Sequence, residues 1–388
     1  MGTNYRALAA AFMTTALIGV TTAGCGGAPA VTRAVPDVSR AVPSVEKIAS
    51  GPVGGELLGG RGLIAPAGIK EPPKTEASAF VIADADTGAV LAAKDPHGHY
   101  MPASTLKTLT AVTLIPKLDR DRTIKPSQWA CNEEGSAVGL VPKPIYKIDD
   151  LWRALLMVSG NDAADALAEA NGSLEKTLAD MNKEARRLQA YDTVAKTPNG
   201  LDKPGQQSSA YDLALIARAG LALPAFREYV STKTAKFPAP KGYYEIGNHN
   251  KLLWRYKGMI GVKNGWTTKA LGSFVGAATR DGHTIIVVIM HHQGGFWDEV
   301  AGLLDWGFAA DGKAAPIGEL VKPVPEAAPS SSAIAVRPGS TVARTPAAAA
   351  KQSGRGPLVA TLALGAGLLA VLLLAMYGMH RRRRPRHS

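Results

Sequence analysis

Three short strings in a fixed order constrain this chain more than anything else in it: Ser104-Thr105-Leu106-Lys107, Ser159-Gly160-Asn161 and Lys263-Asn264-Gly265. They supply a serine, two lysines, a second serine and an amide, which suffice for acyl transfer without histidine or metal. A fold that uses them must bring three distant stretches of chain to one point. One string alone carries little weight, because Ser44-Val45-Glu46-Lys47 and Ser173-Leu174-Glu175-Lys176 also fit Ser-x-x-Lys. Ser159 opens the only Ser-x-Asn in the chain, so order and spacing hold the information.

Each string has a chemical reading and a plainer one. Pro102-Ala103-Ser104 reads as the start of a helix, which puts Lys107 one turn on and on the same face as Ser104. A serine hydroxyl is a poor nucleophile near neutral pH and needs a base. Lys107 can serve once the positive helix end and a second cation, Lys263, disfavour its ammonium form. The plainer reading is an N-cap serine and a solvated lysine. Ser159 could pass a proton to a leaving amine and Asn161 could hold a substrate carbonyl; alternatively Asn161 or Asp162 caps the next helix. Lys263 reads as the end of a strand, offering charge to a carboxylate, with Gly265 allowing close approach of a ligand. An ordinary Asn-Gly turn is its alternative.

The pattern around these strings is α/β. Ala79–Asp84 and Ala89–Lys94 flank Ala85-Asp86-Thr87-Gly88 and read as a hairpin. Residues 273–278 and 284–290 read as a second hairpin across Asp281-Gly282. Helical patterns lie between them at 104–115, 150–158, 162–170 and 209–219, and a final amphipathic helix is expected at 296–308. The terminal hairpins are expected to share one antiparallel sheet flanked by helices.

Both termini read as addressing segments. Residues 1–24, with Arg6, an apolar run and small residues, read as a secretory signal peptide. Cys25 follows directly, so lipid attachment competes with plain cleavage near Ala23; Thr22 stands where a lipoprotein site prefers a bulky aliphatic residue. Residues 25–73 read as a flexible spacer, 74–310 as the catalytic domain, and 311–357 as a Pro/Ala/Ser-rich linker. Leu358–Met379 is 22 residues without a charge, long enough to span a bilayer, and the basic tail 380–388 marks the cytoplasmic side. The expected location is therefore the cell membrane, crossed once, with the domain outside and the C-terminus cytoplasmic.

Charge must be read by region. The formal +12 suggests nucleic acid, yet residues 74–310 hold 27 Lys+Arg against 25 Asp+Glu. Seven basic residues and no acid fall within 351–388. The excess belongs largely to the expected anchor, and no nucleic-acid partner is expected. Cys131 is the only cysteine of the expected domain, so no internal disulfide is expected there.

With their surroundings, the strings resemble the penicillin-binding D-alanyl-D-alanine carboxypeptidases, relatives of the serine β-lactamases. The resemblance covers about 75–310 and includes Tyr100 to Thr110, Met157 to Ala164, Asn248-His249-Asn250-Lys251-Leu252-Leu253-Trp254 and Gly261 to Thr268. It implies a β-lactamase/D,D-peptidase-like fold with a mostly helical insert. Ser104 would attack the carbonyl between two D-alanines of a peptidoglycan stem peptide, and Lys107 would take its proton. Ser159 and Lys263 would relay a proton to the departing D-alanine, Lys263 also holding its carboxylate, and Asn161 would orient the substrate. The Ser104 and Trp266 N–H groups would hold the oxyanion. The resemblance also implies β-lactams as covalent inhibitors, no cofactor and no metal. Asn264 and Gly265 complete the substrate-binding string, where most of the family has threonine in place of Asn264.

Three rivals are weighed. A β-lactamase of the common class would carry Glu-x-x-Leu-Asn between Ser159 and Lys263, and this chain has none. A non-catalytic peptidoglycan-binding protein of the same fold would not need the intact motif set. A Ser-His-Asp hydrolase could draw on His97 or His99, but no Gly-x-Ser-x-Gly surrounds Ser104. His291-His292 reads as a strand-end pair.

Overall fold

A computed structural model of the protein describes residues 51–325. The chain enters through β1 (Leu63–Ile64) and the hairpin of β2 (Ala79–Asp84) and β3 (Ala89–Lys94), whose limits are those read from the sequence. Gly88 turns that hairpin with φ of 90°. A 3-10 turn, Ala103–Leu106, runs into α1 (Lys107–Leu114). The short pair β4 (Thr123–Ile124) and β5 (Tyr146–Lys147) encloses α2 (Gln128–Cys131) in sequence. Then come α3 (Ile148–Met157), α4 (Asn161–Ala170), α5 (Leu174–Arg187), α6 (Ala210–Leu221) and α7 (Pro224–Ser231). A second small hairpin, β6 (Thr234–Pro238) with β7 (Tyr243–Gly247), and the short α8 (Leu252–Arg255) complete the insert. The chain returns through β8 (Met259–Thr267), β9 (Leu271–Arg280) and β10 (His283–His292), packs α9 (Trp297–Ala310), and closes with β11 (Gly318–Glu319).

The main sheet is antiparallel, in the order β1-β3-β2-β10-β9-β8, and β11 shares the outer edge of β3 with β1. The expected union of the terminal hairpins is the β2–β10 pairing, Ala79–Asp84 against Ile285–Met290. Strand β10 shows why its sequence lacks polar alternation. Ile286, Val288 and Met290 face the core under α1, α3, α4 and α6, while Ile285, Val287 and Ile289 face the core under α9. Side chains alternate across a strand, so a strand covered on both faces must be apolar throughout. Helix α1 is the corresponding case among helices: every residue from Lys107 to Leu114 is buried. Two of its three threonines find acceptors, Thr110 Oγ1 donating to Pro198 O at 2.6 Å and Thr113 Oγ1 to Leu109 O at 2.7 Å.

Several expectations are corrected. The ordered body extends beyond 74–310 at both ends. Within the expected spacer, Leu58 is fully buried and β1 joins the sheet, and beyond 310 Ile317 and Leu320 are buried beside β11. These attachments rest on two-residue strands and single anchors, which are too short to show a period in sequence. Lys263 lies inside β8, not at its end, because pairing with β9 continues to Thr267 opposite Leu271. The helix expected from 104 begins as a 3-10 turn, and Phe296 precedes α9 as its N-cap. Ser173 of the decoy Ser-x-x-Lys caps α5, its Oγ accepting the Lys176 N–H at 3.1 Å. Among the described residues no helix is long and apolar enough to cross a membrane. The leader 1–24, Cys25, the stretch 358–379 and the tail 380–388 lie outside the described residues.

Helix α9 meets the sheet closely at Gly307. A Cβ there would lie 2.7 Å from Ile285 Cγ2 and 3.0 Å from Ile82 Cγ2. Helix propensity alone says that Gly307→Ala should stabilise by about 1 kcal/mol. Overpacking of the α9 core reverses that sign, and we expect a net loss of about 1–3 kcal/mol in urea unfolding. A gain in stability would show that α9 can lift off the sheet without cost.

Candidate active site

Ser104 stands in the 3-10 turn, and Lys107 is the first residue of α1. The turn is held tightly because two glycines lie against it. A Cβ on Gly265 of β8 would sit 2.5 Å from Ser104 N, and one on Gly200 would sit 1.9 Å from Ala103 O. Ala103, just before the serine, has φ of 50°, and Ser159 has φ of 65°. Both are left-handed conformations that a non-glycine residue adopts at a cost of about 1–3 kcal/mol. Backbone strain therefore brackets the two serines of the motif set.

Lys107 is fully buried. Its Nζ donates to Asn161 Oδ1 at 2.6 Å and to the Asn199 carbonyl at 2.5 Å, and lies 3.0 Å from Ser104 Oγ. An ammonium has three donors, whereas a neutral amine has two donors and one lone pair. Two fixed acceptors match the two N–H groups of the neutral form, which leaves the lone pair for the Ser104 hydroxyl. Electrostatics favour that form: burial first, and then the Lys263 charge, hold the Lys107 pKa well below the usual lysine value. Asp165, Asp162 and Glu133 oppose this from nearby.

Asn161 opens α4 as its first residue, not as its cap, and Gly160 is the cap. Its Nδ2 donates to Glu134 O at 2.5 Å, so the amide orientation is fixed from both ends, and one Nδ2 hydrogen remains for a ligand. Asp162, read as a possible cap, instead gathers the preceding loop. It accepts N–H groups from Val138, Gly139, Leu140 and Ala163 at 2.8–3.0 Å. Ser159, 5 % exposed, occupies the turn between α3 and α4. Lys263 is 1 % exposed and donates to the carbonyl of Asn264 at 2.6 Å. Burial alone pulls its pKa down to about 7.

A pocket of about 610 Å³ opens at Ser104, lined among others by Glu133, Asn161, Leu201, Trp266 and Thr267. Strand β8 is the free edge of the sheet at this point, so its backbone is available to an extended ligand. Trp266 is 65 % exposed and borders both this pocket and a neighbouring depression of about 470 Å³. Asn264 lines that second depression, with His249, Phe296 and Trp297, and does not line the first. The site thus brings Ser104, Lys107 and Asn161 into contact, sets Lys263 electrostatically beside Lys107, and packs Gly265 onto Ser104.

Sequence reasoning missed the Asn199 carbonyl and Glu133. The first is a backbone atom that any residue could supply, marked only by the turn-like Pro198-Asn199-Gly200. The second is joined to the site through Asn199, whose Nδ2 donates to Glu133 Oε1 at 3.0 Å. The histidine rival finds no geometry here. His97 Nδ1 lies 2.7 Å from Asp192 Oδ2 and Nε2 lies 3.0 Å from Val53 O, so both ring nitrogens are engaged away from Ser104. His291 sits against Tyr100, with Nδ1 3.0 Å from Ser78 Oγ.

Comparison with known proteins agrees with this geometry. The family model for D-alanyl-D-alanine carboxypeptidase matches residues 67–294. The D-alanyl-D-alanine carboxypeptidase DacB2 of Mycobacterium tuberculosis is 40 % identical over 264 residues, covering 66 % of this chain and 90 % of that protein. DacF of Bacillus subtilis is 31 % identical over 222 residues, and the match spans 55 % of this chain but only 57 % of that longer relative. A crystal structure of a D-alanyl-D-alanine carboxypeptidase from M. tuberculosis superposes with a TM-score of 0.64 at 39 % identity, over 66 % of this chain and 99 % of that one. Fold, motif order and similarity converge: the chain belongs to the D-alanyl-D-alanine carboxypeptidase family, whose members are serine-type hydrolases.

Proposed function

We propose that this chain removes the terminal D-alanine from peptidoglycan stem peptides through an acyl-enzyme on Ser104. The observation that carries the reading is the fully buried Lys107, with two fixed acceptors and its third direction toward Ser104 Oγ. Lys107 takes the hydroxyl proton as Ser104 Oγ attacks the carbonyl between the D-alanines. The tetrahedral oxyanion is held by the N–H groups of Ser104 and Trp266. Ser159 returns a proton to the departing amine, and charged Lys263 draws the terminal carboxylate toward the β8 edge. Asn161 offers its free N–H to the substrate backbone. Water then releases the shortened peptide. A β-lactam, whose ring amide stands in for the D-alanyl peptide bond, acylates Ser104 in the same way.

The addressing segments complete the proposal. The signal-like residues 1–24 and the uncharged stretch 358–379, followed by five arginines in 380–388, support an exported domain tethered once to the cell membrane. Residues 326–357, rich in Pro, Ala and Ser, would act as the leash between domain and anchor.

Incubating the full-length protein with a penicillin should give one covalent adduct, mapped by mass spectrometry to Ser104. A pentapeptide ending in D-Ala-D-Ala should release free D-alanine. Rapid penicillin turnover without D-alanine release would indicate a β-lactamase instead, and binding without adduct or turnover a non-catalytic protein. Lys107→Ala should slow acylation by on the order of 100- to 10,000-fold; acylation at the unaltered rate would remove Lys107 as the base. The pH dependence carries a second signature. Lys263 is a cation only below its pKa of about 7. Raising the pH through that value should therefore increase KM for a peptide with a free terminal carboxylate, and leave KM unchanged for the corresponding amide. An equal pH dependence for both would exclude charge recognition by Lys263.

A further inference from the structure

Near Lys107 lie two carboxyl groups that the reaction above does not use. Asp165 is on α4, one turn beyond Asn161, and is 1 % exposed. Its Oδ2 is buried and meets no N–H or hydroxyl donor among the described residues. The carboxyl of Glu133 is the first of the charged groups acting on it. A carboxylate oxygen buried without a donor, beside a second carboxylate, favours a proton on one of the two. Glu133 in turn accepts from Asn199 Nδ2 at 3.0 Å, and the Asn199 carbonyl receives the Lys107 N–H at 2.5 Å. The carboxyl pair, Asn199 and Lys107 thus form one connected chain ending at the Ser104 hydroxyl.

We propose that Glu133 and Asp165 share a single proton and act as a positioning pair for Lys107, limiting their negative charge near that amine to one unit instead of two. The proposal rests on the reading of Lys107 as the base. The physical reason is competition for the amine's protonation state. Every ionised carboxylate near Lys107 favours its ammonium form, which cannot take the Ser104 proton. The neighbouring charges are Lys263 on β8, which opposes the ammonium, and Asp162 and Glu169 on α4. Cys131 on α2 faces Asp162 and Glu169. Against this background a doubly ionised pair would add a second charge where the site can least tolerate it. Burial and the adjacent Glu133 push the Asp165 carboxyl up to about 8, which keeps the shared proton in place at neutral pH. The pair also fixes geometry. Glu133 holds Asn199, and so holds the carbonyl that orients Lys107.

The test reads the pH dependence of acylation by a fluorescent penicillin in the full-length protein. In Glu133→Gln or Asp165→Asn, a carboxamide N–H replaces the shared proton and one carboxylate remains, so the acid limb should stay close to that of the parent. The double variant carries no charge at the pair. Its acid limb should move to lower pH by roughly one unit or more. An unmoved limb in the double variant, or a single variant moving half as far as the double or more, would overturn the shared proton. Infrared spectroscopy gives an independent measurement. The parent should show a protonated-carboxyl band that titrates near pH 8 and is absent in Asp165→Asn. Asp212, buried and pushed up to about 7, should give a second band that this variant retains. A spectrum in which Asp165→Asn removes no band would also overturn the proposal, even if the double variant fails to fold. Lys107→Ala separates the two readings. If it acylates normally, the base assignment falls while the infrared band still reports the pair.

Discussion

Burial of one lysine amine is the constraint on which the site depends. An amine removed from water is unstable as a cation, so the fold must give its hydrogens acceptors without hydrogen-bonding it directly to a carboxylate. Asn161 and the Asn199 carbonyl meet that need with dipoles, and Lys263 places a like charge nearby. Every element that carries these groups is itself buried or pinned. Helix α1 has no exposed face, α4 begins at Asn161, and the Gly200 loop and β8 close over the serine turn.

The sheet makes this arrangement rigid. Two apolar cores, one on each face, clamp β2, β9 and β10, and leave β8 as an edge whose outer side meets the pocket. A central strand could not serve, since its backbone groups would already be paired. An edge on an isolated hairpin would be too mobile to hold a ligand against Ser104. The catalytic geometry therefore draws on packing far from the serine, including the fit of α9 onto Ile82 and Ile285.

Legibility from sequence followed the physics of each feature. The hairpin Ala79–Lys94 was readable to the residue because its turn needs Gly88 and its strands are apolar up to their last residues, Asp84 and Lys94. Of the motif strings, the structure brings Ser104, Lys107 and Asn161 together, as their residue types suggested. Helix α5 was not, since its buried face consists of Thr177, Met181 and Ala185, a stripe too weakly apolar to stand out. Neither was the attachment of residues 51–64 and 317–320, where a single Leu58 or a two-residue strand does the anchoring. At the site, Asn199 acts through its backbone and Glu133 through Asn199, so neither residue type announces its place. The decoy Ser173-x-x-Lys176 marks the opposite limit: the same spacing in an exposed helix start yields only a cap.

The two glycines that grip the serine turn bear on how this site can change over time. Gly200 and Gly265 come from separate parts of the chain, and neither position has room for a methyl group. Drift there is restricted by space before it is restricted by chemistry. Variation has more room at the pocket's rim, at residues such as Leu201 and the exposed Trp266. The floor beneath Ser104 is held by space that a side chain cannot enter.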